Sequence, residues 1–207
     1  YWTNNLADMV VDGTLNVADG RTVIVDALTG SGTVDKTAAG TVTLLVGVDN
    51  GSGTFSGIIK NTSGATALTK NGSGTQILTG NNTYTGVTTI NAGTLQIGTG
   101  TTGSIDSTSS IVNNANVVFN KNAAFTVAPM TGTGNLTVNA TGGYTKLGGN
   151  MTLGGSMTFI TANGGSSGMW IAGNTTLTAA SINMRGFLAL NSATTGVLTL
   201  DTSAVNG

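Results

Sequence analysis

All-β is the fold class this sequence predicts, and three observations predict it. Helix formers are scarce: of 207 residues none is Glu, two are Gln and five are Lys, whereas helices favour Ala, Leu, Glu, Lys, Gln and Arg. Gly, Thr, Asn and Ser supply just over half the chain; Thr and Val favour strands, while Gly and Asn favour turns. The third observation is a repeat of small residues and short alternating runs, which narrows the class to a β-solenoid. A disordered chain would share the Gly and Ser content, but 7% charged residues, 39% hydrophobic residues and one Pro speak against disorder.

Taken in order, each repeat begins at a small residue, usually Gly, that leads into a strand-like run. Gly13-Thr14 leads into Leu15 and Val17, Gly32-Thr33 into Val34, Gly53-Thr54 into Phe55, and Gly74-Thr75 into Ile77 and Leu78. Gly93-Thr94 leads into Leu95 and Ile97, Ala115-Asn116 into Val117 and Phe119, and Gly134-Asn135 into Leu136 and Val138. Gly155-Ser156 leads into Met157 and Phe159, Gly173-Asn174 into Leu177, and Gly196 into Leu198 and Leu200. The steps are 19, 21, 21, 19, 22, 19, 21, 18 and 23 residues. A looser second set lies between the marks: Val23 to Val25, Val42 to Val46, Val87 to Ile90, Phe125 to Val127, Met169 to Ile171 and Ile182 to Met184.

Alternation within each run puts one face inward and one outward. Leu15, Val34, Phe55, Ile77, Leu95, Val117, Leu136, Met157, Leu177 and Leu198 are therefore expected to form one inward ladder. Regular short strands suit a sandwich or barrel as well as a solenoid, but only a solenoid repeats its sequence once per coil. The expectation is a single segment over residues 1–207 with about ten coils of roughly 20 residues. At about 4.8 Å per coil, that is a rod of about 45–50 Å. One coil buries too little to stand alone, so the protein is stable only as a stack.

The segment from Leu68 to Gly98, Leu-Thr-Lys-Asn-Gly-Ser-Gly-Thr followed by Leu78-Thr-Gly-Asn-Asn-Thr-Tyr-Thr-Gly86 and Thr89-Ile-Asn-Ala-Gly-Thr-Leu95, resembles the autotransporter-associated β-strand repeat. Phe55-Ser-Gly-Ile-Ile59 resembles the lead-in to that repeat, and Ile111 to Asn120 with Phe125-Thr-Val127 resembles the stretch on its C-terminal side. The resemblance is best over 53–138. It implies a right-handed parallel β-helix in the surface-exposed or secreted passenger region of a bacterial protein exported across the outer membrane. It implies a stalk or an adhesin scaffold whose repeat carries no catalytic residue; the segment is expected to serve as one of these or as a filament building block, without a cofactor. Absence of Cys suits a passenger that crosses the outer membrane unfolded.

The composition excludes several functions by itself. Without His or Cys, neither a His/Cys metal site nor a His-based triad can be built. Net charge is −1 with seven scattered basic residues, so there is no electrostatic footprint for nucleic acid. Residues 1–20 lack a basic start and an apolar run. The most apolar stretch, 42–48, falls far short of the about 20 residues a membrane helix needs. The chain starts at Tyr1 rather than Met and reads as a piece of something longer.

Asp is the one acidic residue type, at positions 8, 12, 19, 26, 35, 49, 106 and 201. A polysaccharide-active β-helix enzyme, the competing class, needs such groups clustered on one face. Asp12, Asp26 and Asp35, with Arg21, are the candidates; the structural alternative is that each Asp holds a turn. Lys70 is expected as a solvated turn residue that discourages edge pairing, and Tyr84 and Phe55 as packed or turn-anchoring aromatics. Tyr1, Trp2 and Trp170 are read as end or core packing rather than a binding surface. Asn81-Asn82 and Asn113-Asn114 are expected in turns, with Asn able to stack in ladders. Thr-x-Thr pairs at Thr41/Thr43, Thr83/Thr85, Thr131/Thr133 and Thr176/Thr178 raise an ice-binding face, but their spacing leaves the 20-residue register.

The expected role is structural, at the cell surface or outside the cell, with no catalytic, metal or cofactor site. The expected partners are a second copy or further chain at either end, because a solenoid ends in an unpaired coil and neither terminus offers a charged or helical cap. A cell-surface or matrix ligand is a further candidate partner. Nucleic acid and membrane insertion are not expected.

Overall fold

The computed structural model describes residues 5–17, 20–106, 109–161, 168–171, 174–186, 188–190 and 197–202. Strands pair in parallel with their counterparts one coil on, and a full coil visits three faces in turn; among the described residues the second face has no strand between Ile58–Asn61 and Phe125–Val127. The first face carries Met9–Val10, Leu28–Thr29, Gly53–Phe55, Thr75–Leu78, Thr94–Gly100, Asn116–Lys121, Asn135–Ala140, Ser156–Thr161 and Ser181–Arg185. The second carries Thr14–Asn16, Thr33–Lys36 and Ile58–Asn61, and later Phe125–Val127, Tyr144–Leu147, Gly168–Ile171 and Leu188–Leu190. The third is one continuous sheet: Thr22–Val25, Thr41–Val46, Ala65–Lys70, Thr88–Ile90, Ile111–Asn113, Met130–Gly132, Met151–Leu153, Thr175–Thr178 and Leu198–Asp201.

Nine stacked strands on the third face make about eight turns rather than ten. Partners along that face are 19 residues apart at Ile111 and Met130 but 26 apart at Met151 and Leu177. The sequence period is therefore real but uneven, and the rod is about 38 Å long at about 4.8 Å per step.

The uneven coil length also divides the expected ladder among three faces. Leu95, Val117, Leu136 and Met157 do stack in one column, all at most 1% exposed. Leu15 and Val34 pair instead on the second face, where Val34 continues to Ile59. Phe55 pairs with Leu78, which leaves Ile77 facing outward and half-buried. Leu177 belongs to the third face with Met151, and the side chain of Leu198 lies outside the described residues. The reason is that a small residue followed by a strand occurs at more than one corner. A second first-face column runs Phe55, Leu78, Ile97, Phe119, Val138 and Phe159, every member at most 2% exposed.

Glycine marks each coil because successive corners touch. A Cβ on Gly57 would lie 1.9 Å from the Gly32 carbonyl oxygen, and one on Gly80 would lie 1.8 Å from that of Gly57. Backbone cannot yield at that distance, so the column Gly32, Gly57, Gly80 has no room for a side chain. Gly13, at the start of the same column, would meet nothing within 4 Å.

One gap in the first face is closed by a side chain. Leu28–Thr29 and Gly53–Phe55 are joined by a single bridge, Gly30 to Phe55. The buried Gln76 accepts from the Leu28 N–H at 3.1 Å and donates to the Leu28 carbonyl at 2.8 Å, passing over the side-chain-free Gly53. Its amide thus replaces the missing strand contact for two buried backbone groups that would otherwise be costly.

Gly57→Ala is expected to lower unfolding free energy by about 2 kcal/mol or more, while Gly13→Ala stays within about 0.5 kcal/mol of the parent. Urea unfolding followed by circular dichroism measures both; equal effects would contradict the close-contact account.

Candidate functional site

The candidate acids do not converge. Asp12 sits at the corner after Met9–Val10, where its Oδ1 accepts from the Ser31 N–H at 3.0 Å. Asp26 follows the third face, and its Oδ1 accepts from the N–H groups of Asp49 at 2.7 Å and Gly51 at 2.8 Å. Asp35 lies within a second-face strand between Asn16 and Lys60. Asp8 repeats the pattern by accepting from the Ala27 N–H at 3.1 Å. Arg21 enters the third face just before Thr22. Among the described residues no group of three acidic side chains could hold a metal ion.

Each of these carboxylates instead binds a backbone N–H of the next coil, and Asn performs the same task further along. Asn50 accepts from the Ser73 N–H at 2.8 Å, Asn61 from Thr85 at 2.8 Å, Asn135 from Ser156 at 2.9 Å and Asn150 from Thr176 at 2.9 Å. Asn50 adopts φ of 69°, a left-handed turn conformation that Asn tolerates better than most residues. Asn also stacks on Asn: Asn91 donates to Asn71 at 2.8 Å, Asn135 to Asn116 at 3.1 Å and Asn139 to Asn120 at 3.3 Å. The Asn pairs hold more than turns. Buried Asn82 accepts from the Ile59 N–H and donates to the carbonyls of Gly80 and Ser104. Buried Asn113 donates to the Asn135 carbonyl and accepts from Ala115.

Asp35 is the most constrained acid. Burial pushes its pKa up, but the Thr62 hydroxyl at 2.8 Å, the Thr62 N–H at 2.9 Å and the Lys60 ammonium at 3.1 Å outweigh burial and hold it below the ordinary value. All of these partners come from the following coil.

Lys70 is not a solvated turn residue. It is fully buried, and its ammonium donates to the carbonyls of Asn71, Gly72 at 2.9 Å and Ala92 at 3.5 Å. Burial lowers its pKa, partly offset by the negative charge of Asp26. Lys36 is also fully buried and donates to the carbonyls of Ala38 at 2.6 Å and Ala39 at 3.1 Å. Tyr84 is fully buried where its coil has no second-face strand; its hydroxyl lies 2.8 Å from Thr88 Oγ1, and burial raises its pKa. Phe55 is buried in the first-face column. Tyr1 and Trp2 lie outside the described residues. Trp170 is half-buried and stacks on Tyr144 with ring centroids 4.2 Å apart, a pairing that the sequence does not disclose.

Lys70→Met relieves a buried charge but strands the Asn71 and Gly72 carbonyls, so it is expected to cost about 1–3 kcal/mol, against about 0.5 kcal/mol or less for the exposed Lys146→Met. Chemical denaturation of the two variants provides the comparison. The lowered folded pKa of Asp35 means that its stabilisation is present above about pH 4 and is lost as pH falls through the folded value. Asp35→Asn is therefore expected to narrow the drop in urea midpoint between pH 7 and pH 3; an unchanged drop would contradict it.

Comparison with known proteins agrees with the geometry. Residues 68–97 match the family model of the passenger-associated-transport-repeat. No curated protein and no solved structure matches the chain. The matched stretch runs from Leu68 on the third face, through the Lys70 corner and Tyr84, to Ile97 on the first face of the next coil. Residues 68–97 are thus similar to a passenger-associated transport repeat, and that stretch is built into a β-solenoid.

Proposed function

We propose that this chain is a structural β-solenoid segment of a bacterial surface-exposed or secreted protein, acting as a stalk, an adhesin scaffold or the building block of an extracellular filament. The observation that carries this reading is where its polar side chains go: Asp, Asn and buried Lys are engaged with the backbone of their own or a neighbouring coil. The passenger-associated repeat supports export to the cell surface.

The two competing readings gain little. A polysaccharide-active site needs convergent acids, and Asp12, Asp26 and Asp35 occupy separate corners and strands. An ice-binding face needs a flat, two-file Thr array. The third face carries one outward file of Thr69, Thr89, Val112, Thr131, Thr152 and Thr178. The positions two residues earlier are Ala67, Val87, Ser110, Pro129, Asn150 and Thr176.

End-to-end association, or continuation into further coils, belongs to the same reading. Inward positions that are covered in the middle of the stack are open at its extremes: Leu200 is 49% exposed, whereas its column neighbour Leu177 is fully buried. Met9 is half-buried, whereas Leu28 above it is fully buried.

Small-angle scattering and electron microscopy of the segment test this. Expected are rods of about 40 Å or linear multiples of them, with no reducing sugar released from a polysaccharide panel. Sugar release that disappears in Asp35→Asn would overturn the structural reading. Monodisperse single rods at high concentration would remove the association.

A further inference from the structure

Three lysines fold into the solenoid, and one of them is built differently. An ammonium offers three donors. Lys36 and Lys70 each donate to at least two turn carbonyls. Lys121 is 6% exposed, and its contact among the described residues is the carbonyl of Gly103. It lines a cavity of about 250 Å³ that opens to the surface. The cavity lies where the second face passes from the turn segment around Gly103 to the strand Phe125–Val127.

The remaining walls mix polar and apolar groups: Ser104 and Thr126 lie beside Ile105 and the half-buried Phe125, whose ring stacks 5.7 Å from that of the buried Phe119. Apolar cavities of about 150 Å³ already take up benzene, so this one has room for a ring with a substituent. The acid next to the cavity in sequence is Asp106, which directly follows Ile105 and has an interaction of its own; the next Asp is Asp201. Burial alone depresses the Lys121 pKa, with no neighbouring charge offsetting it. A neutral apolar guest would leave two N–H donors bare, at a cost. An inorganic anion would satisfy the donors but leave the open part of the Phe125 ring in contact with water.

We propose that this cavity is a binding site for a small organic carboxylate with an aromatic or branched apolar body. The carboxylate accepts from the free donors of Lys121, and the body lies against the half-buried ring of Phe125, with Ile105 beside it. The site is independent of the structural role: a rod that failed to bind would still be a rod, and an enzyme on another face would not remove the site.

The test uses benzoate as probe and benzyl alcohol as its uncharged counterpart, titrated into the whole chain by calorimetry and ligand-observed NMR. Saturable benzoate binding is expected. Lys121→Met weakens benzoate by about tenfold or more and benzyl alcohol by less than about threefold. Ala124→Trp, which fills the cavity, abolishes both. Independently of any variant, the ¹³Cε resonance of Lys121 shifts on benzoate addition while those of Lys60 and Lys146 do not. Benzoate that fails to saturate, leaves the Lys121 resonance unmoved, or binds a folded Lys121→Met equally well overturns the proposal.

Discussion

A parallel strand ladder satisfies the backbone only where the chain is extended, and a solenoid must turn three times per coil. At the corners some N–H groups still reach a backbone carbonyl of the neighbouring coil, and others rotate out of the ladder and need another acceptor. This chain meets that constraint with short carboxylate and amide side chains placed one coil earlier. Asp26 serves Asp49 and Gly51, Asn61 serves Thr85, and Asn135 serves Ser156. The composition reflects that arrangement. Asp and Asn reach the next coil, about 4.8 Å away, while glycine lets the corners approach closely enough for the bond to form.

The carbonyls of the corners raise the converse problem, and here the chain uses cations. Lys36 and Lys70 end second- and third-face strands and turn inward, each collecting carbonyls that point toward the axis. Burying an ammonium is expensive, and the lowered pKa of Lys70 records the cost. Leaving several converging carbonyls without a donor is costly as well. Gln76 applies the same solution to an interrupted pairing, where an amide supplies donor and acceptor together.

Much of the fold is legible in the sequence because period 2 within strands and a period near 20 between them are both written in residue size. The column Leu95, Val117, Leu136, Met157 can be read directly from the Gly and Ala marks. The reading fails where coil length changes, as between Val34 and its true partner Ile59, since the marks do not say which corner they occupy. Lys70 escapes it because a lysine between Thr69 and Asn71-Gly72 looks like a surface turn. The signal that places it is parity: Leu68 and Lys70 are two apart on one strand, as are Val34 and Lys36, Phe119 and Lys121, and Gln76 and Leu78. If the apolar member faces inward, so does its companion. Nothing comparable in the sequence announces the stacking of Tyr144 on Trp170, which depends on how the second-face strands align.

The side-chain bonds between coils also have a direction. Where a side-chain oxygen accepts a backbone N–H of another coil, from Asp8 to Asn150 the oxygen stands on the earlier coil and the N–H on the later one, with Asn82 and Gln76 as exceptions that reach back. A partly assembled stack growing from its N-terminal side therefore presents a ready ring of side-chain oxygens to the segment that arrives next. Each finished coil acts as a template for its successor, and growth from the opposite side meets no such pattern. Vectorial assembly is in this sense inscribed in the geometry of the corners.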